Sequence, residues 1–164
     1  MKIKEVKINF LEYEDDQELS QEEQNLLGEA FKSVEKSYAP YSEFHVGAAV
    51  LLENGVVVTG SNQENAAYPS GLCAERVAIF YANSQYPGVK ITALAVRAKA
   101  DHFHVNNPIT PCGSCRQVIV ETEHRQKEKI KIIMKGETGP VHVVSGIEAL
   151  LPFTFYEAKL KKKS

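Results

Sequence analysis

Cysteine occurs three times in this 164-residue chain, and all three fall in two short motifs, Cys73-Ala74-Glu75 and Pro111-Cys112-Gly113-Ser114-Cys115. Three thiolates are one ligand short of a filled tetrahedron around zinc, which leaves one position open to water. A metal held that way lowers the pKa of the water and makes it a nucleophile near neutral pH. Hydrolysis also needs a carboxylate that moves protons without ligating the metal. Glu75, two residues after Cys73, has that place in the pattern. The spacing therefore points to metal-assisted hydrolysis, with Cys73, Cys112 and Cys115 as ligands, one Zn²⁺ per chain, and Glu75 as the proton carrier.

Other readings use fewer of these residues. A closed structural zinc site needs a fourth ligand, and His102 or His104, just upstream of Pro111, could supply it. A redox pair would employ Cys112 and Cys115 and strand Cys73. Three inert core cysteines are the remaining alternative, and a closed structural site would leave the Cys-x-Glu pattern without a purpose.

The rest of the composition suits a single compact enzyme. At 164 residues and 43% hydrophobic content, the chain can bury one core without disulfide staples. No apolar run approaches membrane-spanning length, and the opening MKIKEVKINFLEYEDD alternates charge with apolar groups instead of forming a signal-peptide core. A cytoplasmic location, no membrane partner and reduced thiols are expected. Residues 1 to 40 carry five Lys and Arg against ten Asp and Glu, and the rest of the chain fourteen against eleven. Four of the later lysines form a basic tail at 159–164, and no continuous basic groove for nucleic acid is apparent.

These residues must be positioned by a mixed set of helices and strands. Ser20-Gln21-Glu22-Glu23 is a capping box, and Leu26, Leu27, Ala30, Phe31 and Val34 continue a helix that Ala39-Pro40 should end. VGAAVLLENGVVVTG, from Val46, reads as two strands joined by a tight turn at Asn54-Gly55. LCAERVAIFYANS has helical periodicity, so Cys73 and Glu75 lie at that helix's start. A buried strand over 90–98 leads through a loop to a second helix, GSCRQVIVETEH, which begins at the other two cysteines. Strands near 130–135 and 140–144 and a capped helix from Ser145 complete the pattern. The 38 residues between Cys73 and Cys112 suffice for a helix, a strand and a loop, so both helix N-termini can meet on one sheet face. There the macrodipole and free N–H groups favour thiolate.

The segments APYSEFHVGAAV (39–50), NQENAAYPSGLCAER (62–76), TPCGSCRQV (110–118) and EALLP (148–152) together resemble the small zinc-dependent cytidine deaminases. The resemblance runs from about Tyr38 to Phe155. It implies an α/β fold, a three-layer α/β/α sandwich with a mixed, mostly five-stranded sheet. It also implies one domain over 1–164, with residues 1–18 as an N-terminal extension and 99–109 as a longer loop than in compact members. The activity it implies is hydrolysis of cytidine and 2'-deoxycytidine to uridine and 2'-deoxyuridine for pyrimidine salvage, in a homotetramer with shared sites. By the same likeness, Asn62 and Glu64 hold the ribose 3'-hydroxyl, and Phe44 and Val46 pack on the pyrimidine. Ala66 and Tyr68 position the nucleoside, and Phe155 reaches into a neighbouring subunit's site. Arg76 matches an arginine that hydrogen-bonds ligand sulfurs, offsetting the negative charge of three thiolates. Arg116 stays outside this set.

Three competing functions are less well supported. Deamination of a modified nucleoside is disfavoured by Asn62 and Glu64, which fit a plain ribose. A silent zinc-stabilised binding protein would have no use for Glu75. Nucleic-acid editing calls for a basic surface, and editors of this superfamily usually have His at the position of Cys73.

Overall fold

The computed structural model describes residues 1–156 and 160, so the basic tail at 159–164 lies, apart from Leu160, outside the described residues. Its elements are β1 (Leu11–Tyr13), α1 (Gln21–Val34), β2 (Phe44–Leu52), β3 (Val57–Ser61), α2 (Ala74–Gln85), β4 (Ile91–Ala100), α3 (Gly113–Gln126), β5 (Lys131–Lys135) and β6 (Val141–Ser145). The strands form one sheet in the order β1-β6-β5-β4-β2-β3. Only the β4–β5 pair is parallel. Because β3 and β4 both run antiparallel to β2, the strands β3, β4 and β5 share one direction. The crossovers through α2 and α3 therefore leave the sheet from the same edge.

The expected α/β/α sandwich is present, and each face of the sheet has its own core. On one face Ala49, Ala93, Ala95 and Ile133 pack under Leu26, Leu27 and Ala30 of α1. On the other, Ala48, Val50, Leu94, Val96, Ile132 and Met134 pack under Ala78, Ile79, Ile119 and Val120 of α2 and α3. Successive strand residues point to opposite faces, so covering both faces requires the unbroken apolar runs seen in β2 and β4.

Local expectations fare differently by element. Ser20 and Glu23 cap α1 reciprocally, as the capping box requires. The helix stops at Val34, five residues before Ala39-Pro40, where Lys36 and Ser37 N–H groups close the last turn on Ser33 and Val34. The β2–β3 turn is a three-residue loop with Gly55 at φ 83°, a conformation that suits glycine. The sheet has a sixth strand, β1, supplied by the extension and paired with β6 at Leu11↔Val143 and Tyr13↔Val141. The helix expected from Ser145 is only a 3₁₀ turn at Ile147–Ala149. Ser145 pairs with Lys131 at the end of β6, so it cannot act as the cap.

A second tie holds the extension down. Asp16 reaches the buried Lys135 ammonium at 3.1 Å and lies 3.9 Å from the Arg97 guanidinium, which rests on the Phe31 ring. Arg97 also donates to the carbonyls of Gly136 and Glu137. Two buried cations thus share one half-exposed carboxylate and two backbone oxygens, which offsets their desolvation.

Glycine sets the spacing of α2. A Cβ on Gly60 would lie 2.6 Å from both the Ala74 carbonyl oxygen and the Ala78 nitrogen. Strand β3 therefore touches the first turn of α2 backbone to backbone. Gly60→Ala should cost about 1–3 kcal/mol through overpacking. Urea denaturation should show a midpoint lowered at unchanged slope, and a midpoint equal to that of the parent would refute this packing argument.

Candidate metal centre

Cys73 and Cys112 occupy the N-cap positions of α2 and α3, with extended backbone angles and no side-chain cap bond. A Ser or Asp there would normally spend its oxygen on the helix's free N–H groups. Here both sulfurs remain available. Since α2 and α3 start at one edge of the sheet, the sulfurs converge, 3.6 Å apart for Cys73 and Cys112 and 3.5 Å apart for Cys112 and Cys115. All three sulfurs lie within 4.8 Å of one another, and none is in a disulfide. A zinc–sulfur bond of about 2.3 Å in a tetrahedron implies a sulfur–sulfur edge of about 3.8 Å, so the cluster is close to the size that zinc requires.

Among the described residues, the grouping of metal-ligating side chains consists of these three cysteines. His102 instead pairs with Glu43, and His104 Nδ1 lies 3.1 Å from Glu137. Neither histidine closes the site as a fourth ligand. Cys73 is not stranded either, as a redox pair would leave it.

The electrostatics favour a thiolate at Cys73 even before a cation binds. Cys73 is drawn below the ordinary thiol range, first by the hydrogen bond from Cys115 and, against the opposing effect of burial, by Arg76. Cys115 is pushed up by that same hydrogen bond and by burial. Arg76 Nη2 lies 3.8 Å from Cys73 Sγ and 3.4 Å from the Gly71 carbonyl. Among the described residues, its buried Nε has no hydrogen-bond partner. A guanidinium kept beside the cluster at that cost balances negative sulfur charge.

Glu75 lies one residue into the first turn of α2 and is only 4% exposed. Burial is the main reason its carboxyl is pushed up to about 7, opposed by its own backbone N–H and reinforced by charge on Cys73. A carboxyl poised near neutrality can both take and return a proton. A dication at the sulfurs would add an opposing pull.

A cavity of about 470 Å³ opens beside Cys73 and Arg76, and Asn62, Glu64 and Tyr68 also line it. Asn62 brackets the start of β2, its Oδ1 accepting from Val46 N at 2.8 Å and its Nδ2 donating to Phe44 O at 2.9 Å. Glu64 accepts from the N–H groups of Tyr41 and Ser42 and from the Ser42 hydroxyl. Against a rise from slight burial, these bonds hold its carboxyl below the usual range. Tyr68 is 79% exposed and meets Tyr41 edge to face. Phe44, Val46, Ala66 and Phe155 are not among the residues lining this cavity. Phe44 and Val46 are half-buried at the start of β2, whereas Ala66 and Phe155 are exposed. A second cavity, of about 430 Å³, lies at the far end of α3 beside Glu123 and His124, away from the sulfurs.

Two features escaped the sequence reading. Arg116 donates to the carbonyls of Pro111 and Leu150, both at 2.7 Å, and so braces the second cysteine motif against the C-terminal segment. The long loop after β4 is clasped to the start of β2. Glu43 pairs with His102, the Phe44 ring stacks on Phe103 at 6.3 Å, and His45 lies 3.3 Å from Asp101. Glu43 has φ 53°, an uncommon backbone for a side-chain-bearing residue, and sits at the centre of this clasp. These partners are more than fifty residues apart in sequence and meet through the β2–β4 register Phe44↔Ala100.

The family profile described as the cytidine and deoxycytidylate deaminase zinc-binding region matches residues 20–130. A cytidine deaminase of Sporosarcina psychrophila is 48% identical over 99 residues, covering 60% of this chain and 68% of the relative. One from Halalkalibacterium halodurans is 44% identical over 98 residues, covering 60% and 70%. Among solved structures, cytidine deaminase from Burkholderia pseudomallei superposes with a TM-score of 0.69 at 40% identity, over 80% of this chain and 97% of that one. The Mycobacterium tuberculosis enzyme gives 0.61 at 34% identity, over 80% and 94%.

The purified protein should hold about one zinc per chain. Cys112→Ser should lose most of it while keeping its far-ultraviolet circular dichroism. Full zinc occupancy in that variant, measured by elemental analysis, would rule out the three-sulfur site.

Proposed function

The chain belongs to the cytidine and deoxycytidylate deaminase zinc-binding family, and from that premise we propose which residues carry its hydrolytic deamination of cytidine and 2'-deoxycytidine. Cys73, Cys112 and Cys115 hold one zinc ion, and Glu75 moves the protons. The observation that carries this reading is the meeting of three free sulfurs at two helix N-termini with a buried carboxyl in the first turn of α2.

Bound zinc supplies Lewis-acid activation of a water. Glu75 would take one proton from the attacking water and deliver it to N3 as the water oxygen adds to C4, then take the proton left on the new C4 hydroxyl and deliver it to the C4 amino group. The C4–N bond breaks, and ammonia leaves with uridine or 2'-deoxyuridine. Arg76 and the two helix ends balance the thiolate charge that would otherwise oppose deprotonation of the water.

Asn62 and Glu64 receive the sugar. Loop N–H groups already hold the Glu64 carboxylate in its charged, accepting form, which suits a hydroxyl donor. Phe44 and Val46 form the pyrimidine wall, and the Phe103 stack supports Phe44 from behind. Ala66 and Tyr68 position the nucleoside. Phe155, 54% exposed and anchored through its carbonyl by Gln117, completes the site of a neighbouring subunit in a homotetramer. The chain acts as a single domain with residues 1–18 as an extension, in cytoplasmic pyrimidine salvage. Among the described residues, no helix is long and apolar enough to cross a membrane.

Glu75→Gln should retain zinc and nucleoside binding while kcat falls about 10²- to 10⁴-fold, the usual contribution of a positioned acid-base group. Loss of zinc from this variant would make Glu75 a ligand instead. The Phe155 assignment has a separate test. After subunit exchange, a mixture of Phe155→Ala and Glu75→Gln chains should be more active than the sum of the two alone, because some sites then combine both intact residues. No gain, with exchange confirmed by native mass, would return Phe155 to its own subunit.

A further inference from the structure

The N-terminal extension leaves a sheet edge open and a row of apolar side chains exposed. Strand β1 pairs with β6 on one side only and stands at the sheet's edge. The ten residues before it have no regular secondary structure. Ile3, Val6, Ile8, Phe10 and Leu11 are between 49% and 90% exposed. An open strand edge with apolar residues along it is a template for another strand. The question is which strand fits.

The segment's own charge order answers it. Lys2, Lys4 and Lys7 precede the apolar centre, and Glu12, Glu14, Asp15 and Asp16 follow it. An antiparallel second copy, centred on Ile8, sets Lys2 against Glu14, Lys4 against Glu12, Val6 against Phe10 and Ile8 against itself. These residues share one face, since paired residues in an antiparallel ladder point the same way. The opposite face pairs Ile3 with Tyr13, Glu5 with Leu11 and Lys7 with Asn9. No like charges meet in this register. Shifting it by one residue in each strand sets Lys7 against Lys7, or in the other sense both Val6 against Glu12 and Lys7 against Leu11, two charged-apolar pairs where the first register has one at Glu5 and Leu11. The latter register also needs Asp16, which is already bound to Lys135.

We infer that residues 3–13 form a strand that pairs with the same strand of a second copy, joining two sheets edge to edge about a twofold axis at Ile8. The Glu12 carboxylate lies 2.6 Å from His142 Nε2 with its side chain 59% exposed, so Lys4 of the second copy would share an anchored acceptor. The Phe10 ring already leans on His142, with centroids 4.8 Å apart, which fixes one end of the strand. This contact is distinct from the cavity and from the shared-site assembly proposed above, and it does not rest on the deaminase reading.

The test uses the full-length, zinc-loaded protein. Under mild oxidation Ile8→Cys should give a covalent dimer, with peptide mapping placing the disulfide between two copies at position 8. Lys4→Glu and Glu12→Lys should each weaken association about 10-fold or more by sedimentation, since each replaces two cross-strand attractions with two repulsions. A mixture of the two variants should recover parental association, because every pair across the mixed interface is again of opposite charge. Circular dichroism matching the parent checks that Glu12→Lys still folds. No disulfide at position 8, or association unmoved by either charge reversal, overturns the proposal. The segment would then lie on its own chain or serve a different partner.

Discussion

Two helix N-termini must meet at one point, and most of the structure follows from that requirement. A cysteine can replace the usual oxygen-bearing cap only if something else stabilises its sulfur, and a cation held among the neighbouring sulfurs would do so. The convergence depends on strand direction. Because β3, β4 and β5 run the same way, α2 and α3 begin at the same edge of the sheet. It depends also on depth, since α2 rests on the bare backbone of Gly60 and so carries Cys73 and Glu75 close to the sheet.

The same packing sets the site's electrostatics. The burial of Glu75 in the first turn of α2, beside Cys73, also pushes its carboxyl toward neutrality, so one geometric fact yields both position and proton affinity. Arg76 follows Glu75 directly on the helix and answers the opposite need, keeping positive charge beside sulfur. The cluster is therefore arranged around a charge balance that no one residue could set.

The region around the cavity is built from long-range ties. Asn62 and Glu64 organise the start of β2 and the Tyr41-Ser42 loop through hydrogen bonds spanning 16 to 23 residues. The clasp between residues 43–45 and 101–103 ties the loop after β4 to the start of β2 by a different route. Rigid β2 and β4 carry these loops, so their geometry derives from strand register more than from loop sequence.

Sequence by itself determined the metal-binding chemistry, the α/β/α class and most of the elements, because these rest on local physics. A capping box, an apolar period or a proline acts within a few residues of itself, and a Cys-x-Glu motif retains its spacing in any helix. Tertiary structure decided what depends on partners distant in the chain. Residues 11–13 became a sixth strand because β6 offered an open edge, and Ser145 stayed in the sheet because Lys131 faced it. Arg116 became a brace because the carbonyls of Pro111 and Leu150 lie within its reach. Phe44 gained a stacking partner from a loop whose path follows from the β2–β4 register. In each case the deciding group is a backbone or side chain dozens of residues away, and only the packed sheet brings it near.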